Sequence, residues 1–198
     1  MKLISQCAEA KIFTDGKFIL KDRAPKSYRI KELDNKIRIQ RTRSEAKILG
    51  KAASIIPVPK VYAVNPTSIK MEFIEGKKLA DCLDSSKYRL KICGMIGKNV
   101  ALLHNNNIIH GDLTTSNMIL NKNKLYFIDF GLSYIDNKEE HKAVDLHLLK
   151  QALESKHYKH FESSFKEVIN SYKENSTNSD KILERFSKVE MRGRYKHK

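Results

Sequence analysis

Apolar and polar positions flanking Asp15-Gly16 read as two short strands, Ala8 to Phe13 and Phe18-Ile19-Leu20-Lys21, joined by an Asp-Gly turn. Lys21 closes the second strand, and a basic loop, Asp22 to Arg29, follows with Pro25 breaking regular structure. From Ile30 to Ala53 the period becomes helical, with Ala46, Leu49 and Ala53 expected on one face, until Pro57 and Pro59 end it. Val61 to Val64 and Ser68 to Phe73 predict two more strands around an Asn65-Pro66 turn. Past Gly76 the pattern is mostly helical. Tyr88 to Asn105 is amphipathic, with Leu90, Ile92, Ile96, Val100 and Leu103 expected inward. An apolar pair, Ile108-Ile109, breaks into a polar loop at His110, and Met118 to Leu120 and Leu125 to Ile128 form a hairpin. Helices are predicted over Glu139 to Ser155, Tyr158 to Tyr172 and Ser179 to Lys188, with a polar loop from Glu174 to Asp180. The expected architecture is α+β: a strand-rich N-lobe with one helix over residues 1–75, a helical C-lobe over 76–190, and a basic tail over 191–198.

Composition changes this picture in three ways. The 198 residues are 40% hydrophobic, enough for one domain or two small lobes, with a core built without Trp. The 38 basic side chains exceed the 23 acidic ones, a formal +15 that suits a polyanionic partner or a merely solvated Lys-rich surface. Cys7, Cys82 and Cys93 have no CxxC spacing, so reduced thiols in a cytoplasmic protein are expected rather than zinc or disulfides. The first residues lack the apolar run of a signal peptide, and no stretch reaches membrane-spanning length, so no membrane partner is expected.

Four polar features fall in an order that suits phosphoryl transfer: a strand-borne Lys21, a helix-borne Glu45, the loop His110-Gly111-Asp112-Leu113-Thr114-Thr115-Ser116-Asn117, and Asp129-Phe130-Gly131 after an apolar strand. Phosphoryl transfer needs positioning and charge neutralisation more than covalent help. Lys21 would contact the ATP phosphates and Glu45 would hold it, in competition with Glu32. Asp112 would accept or orient the proton of an attacking hydroxyl. Asn117 and Asp129 would hold Mg²⁺ through oxygen. Met71, Glu72 and Ile74 end a strand at the lobe boundary, where backbone atoms would meet the adenine edge. His110 is expected to support the loop. The pattern H-G-D-x-x-x-x-N, with D-F-G twelve residues beyond the Asn, is a strong signal; Lys21 alone is a weak one.

The departures also inform. Ser5 to Ala10 stands where a G-x-G-x-x-G loop would cover the phosphates, and Gly111 replaces the arginine of H-R-D. Little chain separates Gly131 from the helix around Asp145, and there is no A-P-E, so no peptide-docking activation segment is expected.

With these residues assembled, the sequence resembles the PRPK family, the small atypical kinase/ATPase subunit of the KEOPS (EKC) complex in archaea and eukaryotes. The likeness rests on Ala8-Glu9-Ala10, with Cys7 where the family has glycine, and on the stretch from Lys21 through Arg23 and Lys26 to Tyr28-Arg29. Arg41 to Ala46, HGDLTTSN at His110 to Asn117, Asp129 to Ser133, Ala143 to Leu146 and Arg192-Gly193-Arg194 extend it over nearly the whole chain. The resemblance implies a small protein-kinase-like bilobal fold, ATP and Mg²⁺ as cofactors, and a complex with the KEOPS catalytic subunit and a small regulatory subunit. It implies a part in threonylcarbamoyladenosine modification of tRNA, with weak Ser/Thr kinase activity. If Glu9 joins the phosphate-covering loop, it would need a Lys or Mg²⁺ nearby. Alternatives are a small-molecule kinase of the aminoglycoside phosphotransferase type, for which 198 residues leave little room, and a non-catalytic RNA-binding scaffold. Arg192, Arg194, Lys196 and Lys198 are candidate tRNA contacts on a tail expected to order only on a partner.

Overall fold

In a computed structural model the chain divides into two compact units, Met1–Glu75 and Gly76–Lys198. Residues 1–6 and 9–194 are described.

The first unit is a five-stranded antiparallel sheet with one long helix. Its strands are β1 (Lys2–Gln6), β2 (Lys11–Thr14), β3 (Phe18–Asp22), β4 (Val61–Val64) and β5 (Ser68–Glu72), in the order β1-β2-β3-β5-β4. The β2–β3 turn forms as the Asp-Gly pair dictates. The Asp15 carboxylate accepts the Lys17 and Phe18 N–H groups at 3.0 and 2.9 Å, and Gly16 supplies the positive φ. β1 was not expected; it is an exposed edge strand whose Leu3–Gln6 pattern has no buried face to mark it. The helix α1 (Lys31–Ala52) buries Thr42, Glu45, Ile48, Leu49 and Ala52. This stripe is rotated from the expected one: Ala46 is half-buried and Ala53 exposed. The rotation arises because the buried face includes a carboxylate, which hydrophobic periodicity alone counts as outward.

The second unit carries a three-stranded sheet, β6 (Lys77–Lys78), β8 (Met118–Asn121) and β9 (Lys124–Phe127), in the order β6-β8-β9. A second small sheet pairs β7 (Ile108–Ile109) with β10 (Tyr134–Ile135). The helices are α2 (Leu79–Cys82), α3 (Arg89–Asn105), α4 (Glu139–Lys156), α5 (Phe161–Asn175) and α6 (Ser179–Arg194). In α3, Ile92, Ile96, Val100 and Leu103 are buried, whereas Leu90 is exposed; two residues before Ile92, it lies on the opposite side of the helix. α3 packs on α5 at Gly97, where a Cβ would lie 2.1 Å from the Val168 carbonyl oxygen, so only glycine allows this approach. α6 runs six residues past the expected Lys188, so Met191 to Arg194 of the expected tail are helical. No described helix is long and apolar enough to cross a membrane.

Candidate active site

In the first unit, β3 and α1 assemble a buried charge cluster. Lys21 Nζ donates to Glu45 Oε1 at 2.7 Å, and Arg23 Nη2 donates to Glu45 Oε2 at 2.6 Å. Glu45 is 2% exposed, so each of its oxygens faces a cation in a setting where an unpaired charge would be strongly unfavourable. Glu45, not Glu32, is therefore the partner of Lys21. Arg23 also reaches Glu9 at 3.2 Å, and Arg41 pairs with the other Glu9 oxygen. Partial burial opposes the Glu9 charge, but the hydrogen bond and charge of Arg41, with the charge of Arg23, outweigh it and hold the carboxyl below its ordinary value. The countercharge expected to come from Lys or Mg²⁺ is arginine. Cys7 and Ala8, on which part of that reading rested, lie outside the described residues.

The strand end Met71 to Ile74 is largely committed to the sheet. Glu72 N–H donates to the Lys60 carbonyl at 2.8 Å and Phe73 N–H to the Lys17 carbonyl at 3.2 Å. Of the three residues expected to face an adenine, Met71 is buried and paired in the sheet with both β3 and β4. The Glu72 and Phe73 N–H groups are thus engaged within the first unit.

In the second unit, the loop after β7 is built around Asp112. Asn117 Nδ2 donates to the Asp112 carboxylate at 2.7 Å and to the Asp112 main-chain carbonyl at 3.0 Å. With its NH₂ group so engaged, Asn117 turns its amide oxygen away from Asp112. The Asn117 main-chain carbonyl accepts Ile128 N–H at 2.9 Å, tying this loop to the segment that carries Asp129. Asp129 is exposed and sits at φ +61, a left-handed position that Asp tolerates because its carboxylate accepts the Gly131 N–H at 3.2 Å.

His110 lies under both segments. Its Nδ1 accepts the Asp112 N–H at 3.3 Å and its Nε2 donates to the Ile128 carbonyl at 3.2 Å, while Phe130 packs on the ring at 4.7 Å between centroids. Burial holds the His110 imidazole below its ordinary value, so it acts as a neutral spacer. Below it, buried Asp145 accepts the His110 and Gly111 N–H groups, both at 2.8 Å, and the His104 Nε2–H at 3.3 Å. Gly111 is fixed by this geometry. Its φ is +79, and a Cβ would lie 2.5 Å from the Leu132 carbonyl oxygen. On the other side of the loop, the Thr115 hydroxyl donates to His157 Nε2 at 3.0 Å, and His157 Nδ1 donates to Asp84 at 2.9 Å.

Comparisons with known proteins identify the family to which the chain belongs. The RIO domain family matches residues 8–147. The chain is 45% identical to the KEOPS complex subunit Bud32 of Pyrococcus abyssi, over all of this chain and 98% of that protein. The chain belongs to the Bud32 family of RIO-domain proteins. It is 38% identical to a probable serine/threonine-protein kinase, the Bud32 homolog of Archaeoglobus fulgidus, over 95% of this chain and 92% of that one. A probable bifunctional tRNA threonylcarbamoyladenosine biosynthesis protein of Methanobrevibacter smithii is 42% identical over 98% of this chain, which spans 37% of its length. Among solved structures, the Rio2 kinase–ADP/Mg²⁺–phosphoaspartate complex of Chaetomium thermophilum has the same fold. Its TM-score is 0.65 at 15% identity, covering 98% of this chain and 72% of that one. The chain is thus an atypical kinase, and its fold implies ATP binding.

Within the Bud32-family frame, Lys21 and Glu45 come together in the first unit, and Asp112 and Asn117 in the second, with Asp129 on the segment tied to Asn117. Arg23, Asp145, His157 and Asp84 were not anticipated as supports. Asp145 had a signal: it is an acid in the buried stripe that contains Ala143, Leu146, Leu149 and Leu153. Arg192 lies on α6, is exposed and donates to Glu140 of α4 at 2.6 Å. Lys196 and Lys198 lie outside the described residues, and nothing is shown of the Arg194 side chain.

Proposed function

We propose that the chain is the kinase/ATPase subunit of a KEOPS-type complex, acting with ATP and Mg²⁺ in threonylcarbamoyladenosine modification of tRNA in the cytoplasm. The observation that carries this reading is the Asn117–Asp112 pair. One amide holds the Asp112 carboxylate through its nitrogen and leaves its oxygen for a hard cation. Asn117 and the exposed Asp129 carboxylate have the oxygen chemistry that Mg²⁺ prefers and would hold it; bound there, the ion would neutralise phosphate charge. Lys21, oriented by Glu45, would position the phosphates. Asp112 would accept a proton from the attacking hydroxyl or water. The names of the relatives support the KEOPS and tRNA assignment. The same support and the resemblance extend to a catalytic subunit, a small regulatory subunit and tRNA as partners, with weak Ser/Thr kinase activity beside ATP turnover.

The test is ATP turnover with and without the catalytic subunit and tRNA. Asp112→Ala is expected to lose turnover by orders of magnitude with nucleotide binding kept, because its role lies in the transition state. Asp129→Ala is expected to abolish Mg²⁺-dependent turnover with the fold intact. Wild-type turnover in either variant removes that residue from the mechanism.

A further inference from the structure

Outside the residues assigned above, the second unit carries a surface cavity of about 280 Å³ between α3 and the β8–β9 hairpin. Spacing builds one wall: Lys91 and Met95 are one helical turn apart on α3, with Ile92 beside them. Leu120 near the end of β8 and Lys122 in the hairpin turn build the other, and Tyr88 stands at the rim. The floor is therefore aliphatic and the edges cationic, with no carboxylate in the lining. Lys91 and Lys122 are exposed, as are Lys98, two turns along α3, and Lys124, two residues along the hairpin. None of these side chains has a part in the phosphoryl-transfer chemistry proposed above.

We propose that this groove docks an acidic segment of a partner protein, which inserts an aliphatic side chain over Ile92, Met95 and Leu120 and sets carboxylates against Lys91 and Lys122. Three observations select that occupant. The volume is at the lower limit of small-molecule pockets, which start at roughly 300 Å³, so it suits one anchoring side chain of a longer segment better than a whole cofactor. Met95 in the floor is an adaptable surface for aliphatic side chains. The lining offers only positive charge, which complements an acidic chain and repels a basic one. A single-stranded RNA is less well served. The aromatic at the rim is Tyr88, and the Lys87 ammonium already lies 5.1 Å from its ring centroid, where a base would stack. The proposal stands or falls separately from the KEOPS reading.

The test uses the full chain and a fluorescein-labelled decapeptide alternating Glu and Leu. Its counterparts carry Lys for Glu or Ser for Leu, and decauridylate RNA is a fourth probe. The Glu/Leu peptide is expected to bind, and both counterparts to bind at least about tenfold more weakly. Lys91→Glu with Lys122→Glu is expected to weaken Glu/Leu binding about tenfold or more, and Met95→Ser severalfold. A charge-matched control on α1, Lys47→Glu with Lys51→Glu, is expected to leave binding unchanged. All these positions lie outside the catalytic machinery, so basal ATP turnover and thermal midpoint stay at wild type and report folding. The single lysine variants give the same reading if the double variant is unstable. The proposal is overturned by no Glu/Leu binding, or by equal binding of the Ser-for-Leu peptide. An equal effect of the α1 control would reduce the attraction to overall charge. Loss of decauridylate binding alone in the groove variant would make the groove an RNA contact.

Discussion

At the scale of single residues, the loop from His110 to Asn117 is shaped by what cannot be there. Gly111 stands where kinases with an activation segment carry arginine, and its replacement would fail on backbone grounds before any question of charge. A Cβ at this position meets the Leu132 carbonyl oxygen at 2.5 Å, at a φ of +79. Both Gly111→Ala and Gly111→Arg are therefore expected to destabilise the chain by about 3 kcal/mol, measured by denaturant unfolding, with loss of turnover. A tolerated alanine would show that the loop can move away from Leu132. His110 yields a pH prediction. Burial depresses its imidazole pKa below the ordinary 6.5, with the Asp145 charge opposing, so the folded chain keeps the ring neutral. Below that ordinary value the unfolded chain binds a proton the folded chain does not. The stability contribution is thus full above it and is lost as the pH falls toward the depressed folded value. His110→Gln cannot titrate. It is expected to be less stable at neutral pH but to lose less stability between about pH 7.5 and pH 5.5 than the wild type. Parallel unfolding profiles for the two proteins would sink this account.

At the scale of elements, β3 and α1 are joined by a carboxylate shared between two cations, and this sharing makes the two ends of the Lys21–Glu45 pair unequal. Removing Lys21 leaves Glu45 with Arg23 at 2.6 Å; removing Glu45 takes from the buried Lys21 and Arg23 the carboxylate they share and leaves Arg23 its longer contact with Glu9 at 3.2 Å. Glu45→Gln is expected to cost about 3–5 kcal/mol and Lys21→Met clearly less, as read from urea midpoints. Equal losses would mean that Arg23 does not hold Glu45 when Lys21 is gone. The same cluster shows where the sequence was legible. The longer elements were readable, because β-strand alternation, the Asp15-Gly16 turn and the α3 stripe are local patterns, whereas β1 and the short β6, α2 and β10 were not. Asp112, Asn117 and Asp129 were singled out by the spacing of a chemical motif and Lys21 by its strand position upstream of Glu45; the structure shows the Asp112–Asn117 and Lys21–Glu45 pairs. The face of α1 was misread, since a buried Glu looks polar until its cations are located across 22 and 24 residues of chain. Leu90 was misplaced for the opposite reason: an apolar residue off the stripe is simply exposed. The burial of Asp145 has a local signal in the α4 stripe, but the amides it holds, 34 and 35 residues away, are specified by no local pattern.

At the scale of the whole molecule, the question is where the +15 charge acts. The first unit carries 16 basic and 8 acidic side chains and the second 22 and 15, so the excess is divided rather than concentrated at the C-terminus. A broad field of this kind attracts RNA without fixing where it lies, and local interactions must do the placing. The C-terminal segment is a candidate for that role, beginning with the helix-borne Arg192. Its pair with Glu140 has the arginine side chain 63% exposed, and such surface pairs contribute little, so the guanidinium is readily shared with a phosphate. Deleting residues 195–198 removes Lys196 and Lys198 while sparing α6. The truncated chain is expected to bind tRNA more weakly, with the slope of log affinity against log salt flattened by about 2, one for each phosphate no longer neutralised. Arg192→Ala is expected to flatten it by about 1. Basal ATP turnover and the thermal midpoint should not change, because neither Lys196 nor Lys198 belongs to the catalytic machinery. If both the affinity and the slope survive the deletion and the Arg192 substitution, the C-terminal cations place no RNA, and the field acts through the surfaces of the two units.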